Sequence, residues 1–285
     1  MTTEIIAIGM FDGVHLGHQQ VLKTAVNYAK QHKIKSAVLT FDYIPTKNHG
    51  NLTTLNEKAK IIRSFDIDKI TILQFGKIKN LTPQQFIENY LKNCYGIVVG
   101  CDFKFGKDRQ GNLQTLKKFC KNVISVKPVK YRNKIVSSTL VKKKLISGNI
   151  ELSNNLLGRN YTFEGKVIKG SGLGKKLGFP TANLTAKKEK ILPEGIFISK
   201  VKIGNKKRWG YRAITYIGRK PTLGLSTKTV EIYILGFKQQ LYNKKIVVEL
   251  LSKIRDDKKF PSVKKLAKQI ENDLKITQGY FEKYY

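Results

Sequence analysis

The chain opens on a short apolar run, Glu4–Met10 (EIIAIGM), that ends in glycine-rich sequence. A run of that length with such a boundary predicts a buried strand. Apolar positions then recur at helical spacing over residues 17–31. Ser36–Phe41, Ile70–Phe75 and Tyr95–Gly100 predict three further strands, with helices near 56–64, 83–93 and 112–120 between them. Strands alternating with helices predict a parallel sheet covered on both faces. Ligands in such sheets sit at the carboxyl ends of the strands.

After about residue 157 the period changes. Short alternating runs appear at Tyr161–Ile168, Gly195–Ile203, Tyr211–Ile217, Thr229–Leu235 and Lys245–Leu251, separated by turns rich in glycine and lysine. That pattern predicts an all-β barrel or sandwich. A last helix follows, with Ser262 as N-cap and Val263, Leu266, Ile270 and Leu274 on one face. The shift in pattern puts a boundary within Ser147–Asn155, so residues 1–150 and 156–285 form two modules. The length of 285 residues agrees with two domains.

Composition narrows the classes. Hydrophobic residues make up 41% of the chain, enough for ordinary cores. No apolar run approaches the ~18 residues a membrane span needs. The start, Met1-Thr2-Thr3-Glu4, lacks the basic segment of a signal peptide. Cys94, Cys101 and Cys120 are odd in number and lack C-x-x-C spacing, which predicts reduced thiols in a cytoplasmic protein.

The net charge is +34, which first suggests a polyanion partner. Of the 54 basic residues, however, 46 are lysine and 8 arginine, and arginine is the usual reader of bases. The charge is also even along the chain: 25 basic and 10 acidic residues up to position 157, and 29 and 10 beyond it. Solvated lysines and anionic small substrates account for it without a specific nucleic-acid partner.

Candidate chemistry begins directly after the first strand, at Gly9 and Phe11-Asp12-Gly13-Val14-His15-Leu16-Gly17-His18. A helix start offers N–H groups and a dipole to phosphate. Gly13 and Gly17 allow close approach of backbone. His15 and His18 can aim two imidazole donors at one phosphoryl group. A metal pair would need a third ligand, and none is apparent. Were Val136-Ser137-Ser138-Thr139 a second helix start, its hydroxyls and N–H groups would suit phosphate in the same way. In the second half, Gly170-Ser171-Gly172-Leu173-Gly174-Lys175-Lys176 can wrap phosphates with backbone N–H groups or be a hairpin tip. Glu231 lies in Val230-Glu231-Ile232-Tyr233-Ile234, opposite in facing to three apolar residues. A carboxylate in an apolar strand is a candidate general base, because desolvation tunes it. Glu249, in Val248-Glu249-Leu250, is the runner-up.

These motifs, in this order, resemble those of the prokaryotic bifunctional riboflavin kinase/FMN adenylyltransferases. Phe41-Asp42 with Pro45 is similar to the family's F-D-x-x-P, and Gly100-Cys101-Asp102-Phe103-Lys104-Phe105-Gly106 with Gly111 to its G-x-D-F-x-F-G…G. Gly178-Phe179-Pro180-Thr181-Ala182-Asn183 resembles the riboflavin kinase signature. Leu156–Arg159, Ile217–Thr222, Leu241–Asn243 and Ile254–Asp257 with Phe260 resemble further family stretches. The chain departs from the family at Ile44, where His is usual, at Leu140 and Lys142, where Arg is usual, and at Tyr233, where the family has His.

The resemblance implies an α/β module of Rossmann-like topology that adenylylates FMN, then a small riboflavin kinase β-barrel with a C-terminal helix. It implies ATP as co-substrate, Mg²⁺, riboflavin as substrate, and FMN and FAD as products. It places Gly9, Phe11, Asp12, Gly13, Gly17, Ser137, Ser138, Thr139 and Lys142 at ATP in the first module, and Gly170, Gly172, Gly174 and Lys176 at ATP in the second. Thr181 and Asn183 would hold Mg-ATP, and Glu231 would be the base. Asp102, Phe103, Phe105 and Arg255 would contact flavin. Two rivals stay open: a chain that makes only FMN, and a basic nucleic-acid-binding protein on an enzyme scaffold.

Overall fold

A computed structural model of the chain describes residues 4–42, 50–170, 172–204, 210–219 and 228–285. Ile44 and Pro45, Ser171 and Lys220–Thr222 lie outside the described residues, as do the side chains of Lys176 and Arg219. The chain divides into two compact units, Met1–Leu140 and Val141–Tyr285.

The first unit runs β1 (Glu4–Ile8), α1 (Leu16–His32), β2 (Lys35–Phe41), α2 (Leu55–Arg63), β3 (Lys69–Leu73), α3 (Phe75–Ile78), α4 (Pro83–Tyr90), β4 (Gly96–Gly100), α5 (Leu113–Phe119) and β5 (Val123–Val126). A two-stranded ribbon follows, β6 (Lys130–Tyr131) with β7 (Lys134–Ile135), and then α6 (Ser138–Ile146), which continues across the division. Five strands form one parallel sheet in the order β3-β2-β1-β4-β5. The strands are apolar towards both faces, as a sheet covered by helices requires. Ile5, Ala7, Val38 and Val98 pack on one side with Leu22, Ala25 and Val26 of α1. Ile8, Leu39, Phe41, Ile97 and Val99 pack on the other with Phe86 and Leu116. Helix starts follow their capping residues. Thr54 with Glu57 and Thr82 with Gln85 each close a capping box, and Pro83 takes the first turn where it loses no bond.

The strand order turns back between β1 and β4. The chain leaves β1 in one direction across the sheet and β4 in the other, so a crevice opens at their carboxyl ends. The expected first strand ends at Ile8, two residues early, because Gly9 and Met10 already belong to that crevice. Phe75 likewise opens α3 instead of ending β3.

The second unit carries α7 (Ile150–Leu157), β8 (Tyr161–Ile168), α8 (Leu173–Lys176), β9 (Ala182–Ala186), β10 (Gly195–Ile203), β11 (Tyr211–Arg219), β12 (Lys228–Ile234), β13 (Lys245–Arg255) and α9 (Val263–Tyr284). Residues 147–155 therefore lie in this unit, most of them in α7. Six strands close a barrel in the order β10-β11-β12-β9-β8-β13, antiparallel at every pairing. Val230, Ile232 and Ile234 are buried while Glu231 and Tyr233 are half-buried, as alternation along β12 requires.

The last helix corrects one expectation. Val263 is 60% exposed, and the buried residues are Asp273, Thr277 and Phe281. Phe281 packs on Ile198 of β10 and Leu251 of β13. The Asp273 carboxylate is only 3% exposed and accepts from Nε and Nη2 of Arg255 on β13 at 2.8–3.1 Å, and from Gln269. Leu266, Ile270 and Leu274 are half-buried on the same face as Asp273, Thr277 and Phe281, so the apolar stripe and the ion pair together orient this helix, and only Val263 lies off that face. Ser262 caps it as expected.

Candidate active sites

The first crevice is a cavity of ≈ 690 Å³ at the carboxyl ends of β1, β4 and β5. Gly9, Phe11, His15, Gly17 and His18 line one wall, Ser137 and Ser138 another, and Asp102, Phe103 and Phe105 a third. Residues up to 130 positions apart in sequence thus meet at one site. Phe103 and Phe105 stack at 5.7 Å, with Phe105 anchored in the core beside Phe86. Gly111 pairs with Phe105 through backbone bonds, and a Cβ there would strike the ring.

His15 is the N-cap of α1, and its Nδ1 accepts the His18 N–H at 3.4 Å. With Nδ1 an acceptor, a neutral ring carries its proton on Nε2. The two imidazoles stack 3.6 Å apart, and Phe11 meets His18 edge-on. Both rings border the cavity, so both imidazoles serve one site.

Asp12 and Gly13 act differently from the expectation. Neither lines the cavity. The Asp12 carboxylate accepts the N–H groups of Leu52 and Thr53 at 2.9 and 3.2 Å. Gly13 N–H donates to Thr53 Oγ1, and Ser138 Oγ donates to the Asp12 carbonyl at 2.8 Å. These bonds hold a strained loop: Phe11 and Val14 have φ of 50° and 40°. Such backbone costs about 1–3 kcal/mol per residue and persists only where its surroundings hold it. Asp12 and Gly13 brace this loop from behind. Thr139 follows Ser138 on α6 without bordering the cavity, and Lys142 stands one turn further along that helix, half-buried.

In the barrel, Thr181 Oγ1 donates to Glu231 Oε2 at 3.4 Å. Asn183 on β9 is the direct cross-strand partner of Glu231 on β12. The glycine turn folds onto this pair. A Cβ on Gly170 would collide with the Asn183 amide, and one on Gly174 would crowd Thr181. Gly172 has φ of 74° and faces open space. Leu173–Lys176 closes one helical turn, α8, inside the stretch read from the sequence as a phosphate wrap or a hairpin tip. Phe179 meets Tyr233 edge-on at 5.9 Å. On the other side of Glu231, Tyr216 is its cross-strand partner on β11, and its hydroxyl donates to Asp257 at 2.8 Å. Burial, then Asp257, pushes the Tyr216 phenol well above its ordinary value.

Glu249 has other company. It sits on β13 opposite Lys200 and Thr162. Burial pushes its carboxyl up, against the pull of Asn160, Lys200 and Lys202. Arg255, expected at the flavin, has its guanidinium bound to Asp273 and to the Asp256 carbonyl. Sequence reasoning missed Thr53, Tyr216 and Asp273, and named Asp257 within its motif without its partner Tyr216. The Thr54–Glu57 capping box is legible in sequence and marks where residues 52–53 are pinned. Tyr216 and Asp273 act through strand pairing and helix docking and leave no local signal.

A doubly covered parallel sheet with two helix starts at its turning point suits a nucleotide. A closed barrel with oxygen donors beside a strand carboxylate suits transfer to a hydroxyl. Together they define a two-site, nucleotide-dependent transferase. Two family models match, FAD synthetase over residues 1–140 and riboflavin kinase over residues 157–281. The bifunctional riboflavin kinase/FMN adenylyltransferase of Buchnera aphidicola subsp. Schizaphis graminum is 38% identical over 97% of this chain and 93% of its own. That of Bacillus subtilis is 32% identical over 97% and 92%. A crystal structure described as a macrolide-efflux protein from Streptococcus pneumoniae is 29% identical, with a TM-score of 0.89 over 97% of this chain and 94% of that one. The chain belongs to the bifunctional riboflavin kinase/FMN adenylyltransferase family. Among the described residues no helix is long and apolar enough to cross a membrane.

Proposed function

We propose that this chain phosphorylates riboflavin to FMN in its barrel and adenylylates FMN to FAD in its α/β unit, with ATP as co-substrate of both steps. The observation that carries the reading is the presence of both family matches, each over a unit whose motif residues converge in space.

In the barrel, Glu231 takes the proton of the riboflavin 5′ hydroxyl. The freed oxygen bonds to the γ-phosphorus of ATP, the bond to the β-γ bridging oxygen breaks, and ADP leaves. The Thr181 hydroxyl and the Asn183 amide oxygen are hard donors, the kind Mg²⁺ takes together with phosphate oxygens. Among the described residues no cluster of three His, Cys, Asp or Glu competes for a softer metal. Mg²⁺ bound with ATP would neutralise charge on the transferring phosphoryl group. Gly170, Gly172 and Gly174 supply backbone N–H groups against the phosphates.

In the α/β unit, a phosphate oxygen of FMN bonds to the α-phosphorus of a second ATP and pyrophosphate leaves. His15 and His18 stabilise the charge that develops there. Ser137 and Ser138, with the α1 start, hold the remaining phosphates, and Phe103 and Phe105 offer a stacking wall to the isoalloxazine ring. Three free thiols fit a reducing, cytoplasmic setting.

The test is a time course of riboflavin with Mg-ATP, resolving FMN and FAD chromatographically, beside a second course started from FMN. FMN followed by FAD is expected. Riboflavin left unconverted refutes the kinase assignment, and FMN left unconverted refutes the adenylylation assignment.

A further inference from the structure

Lys58 lies on α2, in the first unit, and is 4% exposed. A buried ammonium must find partners. Its Nζ donates to the carbonyl of Met10 at 3.1 Å and to that of Phe41 at 2.6 Å. Phe41 is the last residue of β2, and Met10 stands two residues beyond β1, where the phosphate loop begins. The lysine therefore ties together the carboxyl ends of two neighbouring parallel strands, directly behind the cavity.

Two carboxylates face it, Asp12 from the loop after β1 and Asp42 from the end of β2. Both are already engaged with backbone: Asp12 with Leu52 and Thr53, and Asp42 with the Phe75 N–H at 2.8 Å. The Thr54–Glu57 box fixes the start of α2, and hence Lys58, against the same residues 52–53. The strained stretch from Phe11 to Val14 is held at two peptide groups, by Lys58 at Met10–Phe11 and by Ser138 and Thr53 on the two sides of Asp12–Gly13. Without the ammonium, two carboxylates and two carbonyl oxygens would stand behind a site meant for a triphosphate.

We propose that Lys58 is a positioning residue for adenylyl transfer, holding the phosphate loop in its strained form and cancelling the negative charge behind it. The proposal rests on the assignment of FMN adenylylation to the first unit. Lys58 does not border the cavity, so it acts through the loop and not on the substrate. Burial lowers its titration to about 8, against the opposing pull of Asp12 and Asp42. It carries its charge below that pH and loses it above. FAD formation should therefore fall as pH rises through about 8.

The experiment uses the full chain. Lys58→Met keeps the apolar stem and removes the charge. It should lower FAD formation from FMN by roughly 10–100-fold, the cost of leaving two buried acceptors unpaired. The loss should appear mainly as a higher KM for ATP, and the alkaline limb should vanish. Riboflavin phosphorylation in the same molecule should be unchanged. Lys58→Arg stays charged throughout and should restore activity in part, without the limb near pH 8. A Lys58→Met chain with wild-type KM for ATP and a wild-type pH profile overturns the proposal and leaves the adenylylation reading standing. A wild-type chain that makes no FAD from FMN overturns both. If Lys58→Met does not fold, the arginine variant decides: an alkaline limb that persists in it overturns the proposal.

Discussion

Replacing Glu231 by Gln keeps the volume of the side chain and removes its ability to take a proton. The structure allows the two consequences to be separated. The bond from Thr181 to Glu231 is 3.4 Å long. A bond that long in a half-buried setting falls at the low end of the usual ~0.5–1.5 kcal/mol, and the Gln oxygen still accepts it. Weakening that bond should therefore cost the barrel less than ~1 kcal/mol, too little to unfold a domain stable by about 5–15 kcal/mol. Loss of a general base typically costs roughly 10²–10⁴ in rate. At about 1.36 kcal/mol per decade, that is ~2.7–5.4 kcal/mol of barrier. The rate effect exceeds the stability effect several-fold, so a drop in FMN formation reports chemistry.

The assay feeds riboflavin to one sample and FMN to another. Glu231→Gln should lose FMN formation by that factor and still convert supplied FMN to FAD. Glu249→Gln is the matched control. Its neighbours are Asn160, Lys200 and Lys202, none of them in the Gly178–Asn183 signature, so phosphorylation should stay near wild type. If Glu231→Gln spares phosphorylation and Glu249→Gln abolishes it, the wrong strand carboxylate has been chosen and the alignment of β12 with the family's base is mistaken.

His15→Ala and His18→Ala should each lower FAD formation from FMN by roughly 10²–10³ while riboflavin phosphorylation persists, and an unchanged adenylylation rate would remove both rings from the reaction. Asp273→Ala leaves the Arg255 guanidinium without its buried partner, a loss of about 3–5 kcal/mol that amide exchange on α9 should register, whereas unchanged protection would show that Phe281 alone docks the helix. Glu249 titrates above its ordinary value because of burial, so the folded state holds the proton more tightly than the unfolded one. Its contribution favours folding at low pH and is lost as pH rises from the ordinary carboxylate range through the raised value, so Glu249→Gln should flatten that fall in urea titrations. An identical pH slope in the variant would contradict the assignment.

Much of the site was legible because it is local. Phe11–His18 is a continuous stretch between a strand and a helix, and so is Ser137–Thr139 at the start of α6. Gly178–Asn183 and the alternation around Glu231 are equally compact. What those residues do was less legible. Asp12 reads as a phosphate ligand within its motif, yet its carboxylate turns away to Leu52 and Thr53. Lys58 is one of 46 lysines, and no feature of Asn56–Lys60 separates it from the solvated ones.

Periodicity determined the longer strands and helices of the two units, because each buries one or both faces in a way its own residues declare, but it left out Val123–Val126, Ile150–Leu157 and Ala182–Ala186. Tyr161–Ile168 and Gly195–Ile203 match the alternating runs at both ends. The tertiary structure decided the rest. β13 runs on to Arg255, past the apolar run ending at Leu251, because β10 continues to offer backbone partners up to Ile196. The four-residue strand Val123–Val126 exists because it finds the open edge of β4. On α9 the inward face keeps Leu266, Ile270 and Leu274 as the periodicity expects, while Arg255 reaching Asp273, a pairing across 18 residues, and the exposure of Val263 were set by the tertiary structure. Ladder bonds and buried ion pairs depend on which groups the closed barrel and the sheet bring opposite one another. That information lies between segments, and no single segment carries it.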